Sequence, residues 1–240
     1  MQVVLLAAGL GSRLGALTAQ LPKALISVAG ESLLARAVRF AQRLAPSEIV
    51  VVGGYGFADV AAEVARRGLV VTLIENHDFR DGNLVSLLCA RSLLRGDFLL
   101  MNVDHIYRPA VAARVGLAVD DVTAFVDVDR KLGPDDMKVA RDGAGRVREI
   151  AKTLTTFDAG YVGMSRVPGT ALDRYWAAAD EVLAREGRAM HVERILARLA
   201  ASDQPPRCRD VSGIGWLEVD LADERDHAEA TIVRAPAEWA

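Results

Sequence analysis

The sequence predicts an α/β fold: a mostly parallel, Rossmann-like sheet with helices on both faces. Three features point to it. Short Val-, Leu- and Ile-rich runs alternate with helical stretches at about 20 to 25 residues per unit through the first half, the rhythm of strand–helix–strand crossovers. The first run, Gln2 to Ala7, is continuously apolar and runs into a glycine-rich stretch, as a strand buried on both faces does. The chain has 240 residues, 51% of them hydrophobic, which is enough for one sizeable core.

After the first strand, Ser32 to Leu44 has a helical pattern with Ser32 placed as N-cap. Glu48 to Val52 is a β-branched run closed by Gly53 and Gly54; Phe57 to Arg67 reads as a helix and Leu69 to Ile74 as a strand. Glu75 to Gly82 is polar and turn-like, and Leu84 to Leu94 carries leucines at helical spacing. Asp97 to Val103 is another buried strand that stops at Asp104, followed by a short helix, Pro109 to Leu117, and a strand, Val122 to Val128. The second half changes character. Met137 to Ala140 and Val147 to Ala151 flank Asp142-Gly143-Ala144-Gly145, which predicts a small β-hairpin. Phe157 to Met164 reads as a strand, Thr170 to Arg185 and Val192 to Leu199 as helices, Gly215 to Val219 as a last strand and Leu221 to Ile232 as a last helix. No linker or repeat interrupts the chain, so 1–240 reads as a single domain with halves of about 1–128 and 129–240.

The formal net charge is −3, which gives no clustered basic footprint for nucleic acid. Any phosphate-bearing ligand must be met by a few placed cations. The two cysteines, Cys89 and Cys208, form neither a disulfide framework nor a zinc spacing, and are expected to be reduced and buried. The N-terminal apolar run lacks a basic flank and is broken by glycines within ten residues, so no signal peptide or membrane insertion is expected and a cytoplasmic protein is predicted.

Ligands in such sheets bind beyond the carboxyl ends of the strands, where both Gly9 to Arg13 and Asp104 fall. Gly9, Gly11 and Gly15 would let backbone N–H groups approach an anion, Arg13 offers a fork of donors, and Lys23 adds a point charge. Glycines alone fit a tight strand-to-helix turn equally well. Leu14 breaks the dinucleotide fingerprint, and no Gly-Lys-Ser/Thr follows for a P-loop.

The full string Leu6, Ala7, Ala8, Gly9, Gly11, Ser12, Arg13, Leu14, then Pro22 and Lys23, resembles the N-terminal motif of nucleotidyltransferases that act on sugar phosphates and similar phosphomonoesters. The resemblance implies the nucleotide-diphospho-sugar transferase type of fold and a reaction that joins a nucleotide to a phosphorylated acceptor with release of pyrophosphate. It also implies Mg²⁺, which such chemistry needs to neutralise the triphosphate. Asp104, in MNVDHIY, resembles the family's metal-binding aspartate. Asp220, in WLEVDLADERDHA, reads equally as a helix N-cap, and the resemblance marks it as the second metal ligand. Asp127, Asp129, Asp135 and Asp136 cluster around Lys131 and Gly133, a pattern that fits a solvated loop.

The string DGNLVSLL, with Gly82, Asn83 and Ser86, looks like the form found in inositol-1-phosphate cytidylyltransferases, and choline-phosphate and phosphonate cytidylyltransferases carry a related pattern. DHIY from Asp104 to Tyr107, the stretch Lys138 to Lys152, and FDAGY from Phe157 to Tyr161 agree with the inositol type. The resemblance then implies that Leu6, Ala7, Ala8, Gly82 and Asn83 lie near base and ribose; that Gly9, Gly11, Ser12, Arg13 and Lys23 hold the phosphates; that Asp104 and Asp220 hold Mg²⁺; and that Lys152 and Asp158 meet the acceptor. Arg13, Lys23 and Asp104 are the expected catalytic residues. A phosphate dianion is already a nucleophile, so His77, His105, His191 and His227 are not assigned to catalysis. The partners implied are an NTP, CTP favoured, and a phosphorylated small molecule, with self-association into a homo-oligomer left open. Alternatives are a GTP- or UTP-dependent sugar or cyclitol phosphate enzyme, a choline-phosphate or phosphonate cytidylyltransferase, or an inactive nucleotide-binding regulatory subunit.

Overall fold

The computed structural model of the protein describes residues 1–18 and 21–240. Positions 19 and 20, in the variable loop between Leu14 and Pro22, lie outside the described residues. In chain order the elements are β1 (Gln2–Ala7), the β2 (Ser27–Val28) and β3 (Glu31–Ser32) hairpin, α1 (Leu33–Gln42), β4 (Glu48–Gly53), α2 (Phe57–Arg67), β5 (Thr72–Glu75), α3 (Asn83–Ala90), β6 (Phe98–Asn102), β7 (His105–Tyr107), α4 (Val111–Val115) and β8 (Thr123–Asp127). The second half supplies β9 (Lys138–Arg141), β10 (Val147–Ala151), β11 (Ala159–Val167), α5 (Leu172–Glu186), α6 (Glu193–Ala200), β12 (Arg207–Asp210), β13 (Trp216–Glu218) and α7 (Ala222–Arg234).

Nine strands form one sheet with the order β10-β9-β11-β6-β1-β4-β5, extended by β8 beside β11 and β12 beside β8. The block β6-β1-β4-β5 is parallel, as the strand–helix rhythm predicts. Beyond β6 the direction reverses: β11 runs antiparallel to β6, β8 and β9, and the β9–β10 hairpin forms where Asp142 to Gly145 places it.

Alternation along β1 builds two cores at once. Val4 and Leu6 face a layer with Leu84, Leu87, Phe98, Tyr175 and Ile195, under α3, α5 and α6. Val3, Leu5 and Ala7 face Leu34, Val38, Val51 and Met101, under α1 and α2. Each fully buried Leu or Val contributes about 1.5–3 kcal/mol, so β1 is pinned from both sides. A third cluster, with Leu14, Ile26, Val28, Ile106, Val219 and Ile232, fastens the segment after β1 against α7. That fastening brings residues near 23, 104 and 220 to one place.

The boundaries differ from expectation where local chemistry overrides pattern. The helix expected to Leu94 stops at Ala90, and the strand expected from Leu69 begins at Thr72, since Val70 is exposed to solvent. Four short strands were not foreseen. β2, β3 and β7 have two or three residues each, and β12 reads Arg-Cys-Arg-Asp with no apolar alternation. Both cysteines are unpaired as expected, but half-buried rather than buried.

Ser32 is the N-cap the sequence indicates. Its Oγ accepts the Ala35 N–H at 3.2 Å and donates to Glu63 Oε1 at 2.8 Å, which ties α1 to α2. Ser32→Ala should destabilise the protein by about 1 kcal/mol. Chemical denaturation checks this; an unshifted midpoint contradicts it.

Candidate active site

Leu6 pairs with Asn102 across β1 and β6, so the two strands end side by side. The glycine-rich segment leaves β1, and the turn carrying Asp104 leaves β6 next to it. Between them opens a cleft of about 320 Å³. It is lined by Gly9, Gly11, Ser12, Arg13, Lys23, Asp104 and Asp220, and also by Met137, Lys152, Tyr161 and Glu193 of the second half.

Lys23 is the centre of the charged end. Its Nζ donates to Asp104 Oδ2 at 2.6 Å and to Asp220 Oδ1. Arg13 reaches the other oxygen of Asp220 at 2.8 Å. Burial opposes charge on both partners. It lowers the Lys23 pKa on its own, but Asp104 and Asp220 outweigh it and the net shift is upward. It raises the Asp104 carboxyl on its own, but the Lys23 ammonium and the His105 ring outweigh it and hold the group well below the usual carboxylate range. Lys23 and Asp104 therefore hold each other in the charged form.

Asp220 is not the N-cap of α7. Leu221 holds that position, and Glu224 in the first turn reaches back to accept the backbone N–H groups of Asp220 and Leu221 at 2.7 and 3.0 Å. The Asp220 carboxylate is thereby left to face Lys23. Asp104 is steered from the far side. His105 Nδ1 lies 2.7 Å from Asp104 Oδ1, and His105 Nε2 lies 3.9 Å from Glu218 Oε1. The imidazole stacks on Trp216 with centroids 5.3 Å apart, and Trp216 Nε1 donates to Asp127 Oδ2 at 2.8 Å. Sequence reasoning set His105 aside and missed Glu218 and Trp216. Their signal was their place opposite β7, since β13 pairs Glu218 with His105.

The two carboxylates fit a divalent cation. The Lys23 ammonium touches both and so marks a position that one positive charge can share between them. Mg²⁺ takes one or two carboxylates and completes its shell with phosphate oxygens and water. No group of three or more His, Cys, Asp or Glu side chains suited to a metal occurs among the described residues.

Other expected residues fall as follows. Leu6 and Ala8 line the cleft, whereas Ala7 is turned into the opposite core, so only its backbone faces the ligand side. Gly82 and Asn83 line the cleft, but they also hold the segment between α5 and α6. Gly82 N donates to Arg188 O at 3.0 Å, and Asn83 Oδ1 accepts the Val192 N–H at 2.8 Å. A Cβ at Gly82 would lie 1.9 Å from Met190 O, so only glycine fits. Lys152 lines the cleft. Asp158 does not: its carboxylate is held by Arg141, from N at 3.2 Å and Nε at 3.1 Å, on the outer face of β9. The acidic cluster is not uniformly solvated either. Asp127 is buried, and Asp135 and Asp136 reach the cleft, with Asp135 3.8 Å from Arg13.

A parallel sheet with a glycine-rich loop and paired carboxylates at its carboxyl edge defines the nucleotide-diphospho-sugar transferase class of fold. The family model of the MobA-like NTP transferase domain matches residues 3–134, more than half of the chain, and the chain belongs to that family. The bifunctional IPC transferase and DIPP synthase of Rubrobacter xylanophilus is 33% identical over 95% of this chain and 51% of its own length. The protein of the same description from Aquifex aeolicus is 28% identical over 96% of this chain and 51% of its own length. The chain thus spans about half the length of these relatives. Among solved structures, the inositol-1-phosphate CTP transferase from T. maritima superposes with a TM-score of 0.79 over 98% of this chain and 96% of that one, at 17% identity. Among the described residues no helix is long and apolar enough to cross a membrane.

Gly163 interrupts β11 with φ +72°, and a Cβ there would lie 2.7 Å from His105 Nε2. Gly187 has φ +89° in open space. Both alanine variants should lose about 1 kcal/mol or more to backbone strain, and Gly163→Ala should lose more because the imidazole must move. Denaturation midpoints compare them; equal losses would contradict the role given to Gly163.

Proposed function

We propose that the chain transfers a cytidylyl group from CTP to inositol 1-phosphate or a closely related phosphomonoester, releasing pyrophosphate. The observation that carries this is the convergence of Lys23, Arg13, Asp104 and Asp220 in a cleft that Lys152 also lines. The string from Gly82 to Ser86 and the names of the relatives favour CTP and an inositol phosphate over other pairs. In this reading residues 1–128 supply most contacts to the NTP and 129–240 most contacts to the acceptor. Asp220 crosses from the second half to the phosphate end.

Chemically, an oxygen of the acceptor phosphate attacks the α-phosphorus in line. A P–O bond forms there, the bond to the β-phosphate bridging oxygen breaks, and pyrophosphate carries away the electron pair. The attacking group is an anion already, so no residue has to remove a proton. Positioning and charge stabilisation do the work. Arg13 and Lys23 offset charge on the β- and γ-phosphates, and the backbone N–H groups of Gly9 to Ser12 face them. Lys152 holds the acceptor phosphate. Asp104 and Asp220 would hold Mg²⁺, which would supply charge neutralisation of the triphosphate. The half-buried, unpaired thiols suit a reducing cytoplasm.

A matrix of four NTPs against inositol 1-phosphate, phosphocholine, simple phosphonates and hexose 1-phosphates, with Mg²⁺, should release pyrophosphate fastest for CTP with inositol 1-phosphate. A hexose 1-phosphate with UTP or GTP as the best pair would overturn the substrate assignment. Asp104→Asn should lower kcat on the order of 10²-fold or more, and full activity in that variant is the contrary result. Lys23→Ala should impair turnover with every nucleotide; a change confined to acceptor affinity would remove Lys23 from the nucleotide phosphates.

A further inference from the structure

The cleft holds a charge without a partner. Glu193 is the first residue of α6; it is 7% exposed and lines the cleft. Among the described residues the other buried charged groups all have partners: Lys23 and Asp127 in side chains, and Arg36, Lys138 and the Arg166 terminal nitrogen in backbone oxygens, although Arg166 Nε has none. Glu193, among the described residues, has neither a hydrogen bond nor an ion pair. Its carboxylate oxygens are not among the buried atoms that lack a partner, so they open on the cleft, where a ligand can reach them.

Its neighbours are not donors to it. The Tyr161 hydroxyl is engaged with Ser165 Oγ at 2.7 Å. Burial, and after it the Glu193 charge, pushes the hydroxyls of Tyr161 and Tyr175 up, which places the carboxylate close to both rings. Lys152 lines the same cleft yet forms no ion pair with Glu193. A ligand with a phosphate at one end and hydrogen-bond donors at the other would span the two.

Those donors are hydroxyls rather than a quaternary ammonium. Recognition of the latter uses open aromatic faces. Of the aromatic rings lining the cleft, Trp216 is stacked on His105 at 5.3 Å and covered by the Arg130 guanidinium 4.1 Å from its centroid, Phe79 lies under the Arg80 guanidinium at 5.1 Å and beside Tyr55, and Tyr161 is buried. We propose that Glu193 is a specificity-determining residue of the acceptor end, and that its carboxylate accepts hydroxyls of a polyol phosphate whose phosphate is held by Lys152. This rests on the nucleotidyl-transfer reading above and adds to it the group that selects the acceptor.

The test compares wild type, Glu193→Ala and Glu193→Gln with inositol 1-phosphate, phosphocholine and ethyl phosphate as acceptors. Glu193→Ala should raise KM for inositol 1-phosphate about 10- to 100-fold and erase the preference over ethyl phosphate by the same factor. Glu193→Gln should recover part of the loss. The KM for CTP should stay constant, and the ligand-free melting temperature should be unchanged, since the Glu193 carboxylate opens on the cleft. An unchanged acceptor KM, a shift in the CTP KM instead, or a response confined to phosphocholine overturns the proposal. If wild type releases no pyrophosphate with any pair, the activity reading fails separately, and calorimetry with inositol 1-phosphate alone decides. Binding lost in Glu193→Ala upholds the role of Glu193; equal binding by both proteins, or none by wild type, overturns it.

Discussion

One ammonium holds the charged end of this molecule together. Lys23 meets carboxylates from positions 104 and 220, and without it two half-buried acids would face each other in the cleft. Burying three charges is costly, and mutual pairing repays the cost only when the geometry is good and the remaining lone pairs are satisfied. The fold provides both conditions. β1 and β6 end in register, and the cluster around Leu14, Ile26, Ile106 and Val219 fastens the loop that carries Lys23 against the segment before Asp220. Glu224 completes the cap of α7, and Arg13 and His105 take the outer oxygens of the two aspartates.

Behind the carboxylates lies a layer that fixes their direction. Glu218, His105, Trp216 and Asp127 form a chain of contacts running from β13 through β7 to the end of β8, and Gly163 in β11 leaves room for the imidazole. Sites whose supporting groups are themselves locked keep their geometry when ligands arrive. At the opposite end the segment from Arg188 to Val192 is bound to the start of α3 through Gly82 and Asn83. Residues with a sequence signature for nucleotide recognition thus also carry tertiary structure, and a substitution at either position disturbs both.

Most of the architecture was legible in the sequence because the parallel block is made of continuous apolar runs separated by helices at regular spacing. The strands that were missed are short or polar, and are held by partners distant in sequence: β7 by β13, and β12 by β8. For the site, the motif from Leu6 to Lys23 and the strand-end position of Asp104 could be read directly. Side-chain direction could not. Ala7 turns away, Asp158 is taken by Arg141, and Glu193 sits in a helix whose pattern marks its apolar face and gives no sign that its first residue enters a cleft. Asp220 had two readings, and the geometry of Glu224 separates them.

The account requires Asp104 and Asp220 to share one cation position, which the Lys23 ammonium fills in the ligand-free protein. Titration with Mn²⁺ followed by electron paramagnetic resonance, without nucleotide, measures this directly. Lys23→Met should bind one Mn²⁺ more tightly than wild type, because the competing ammonium is gone and two carboxylates are left facing each other, and Asp104→Asn added to that variant should abolish the gain. Equal affinity in wild type and Lys23→Met would contradict a shared position.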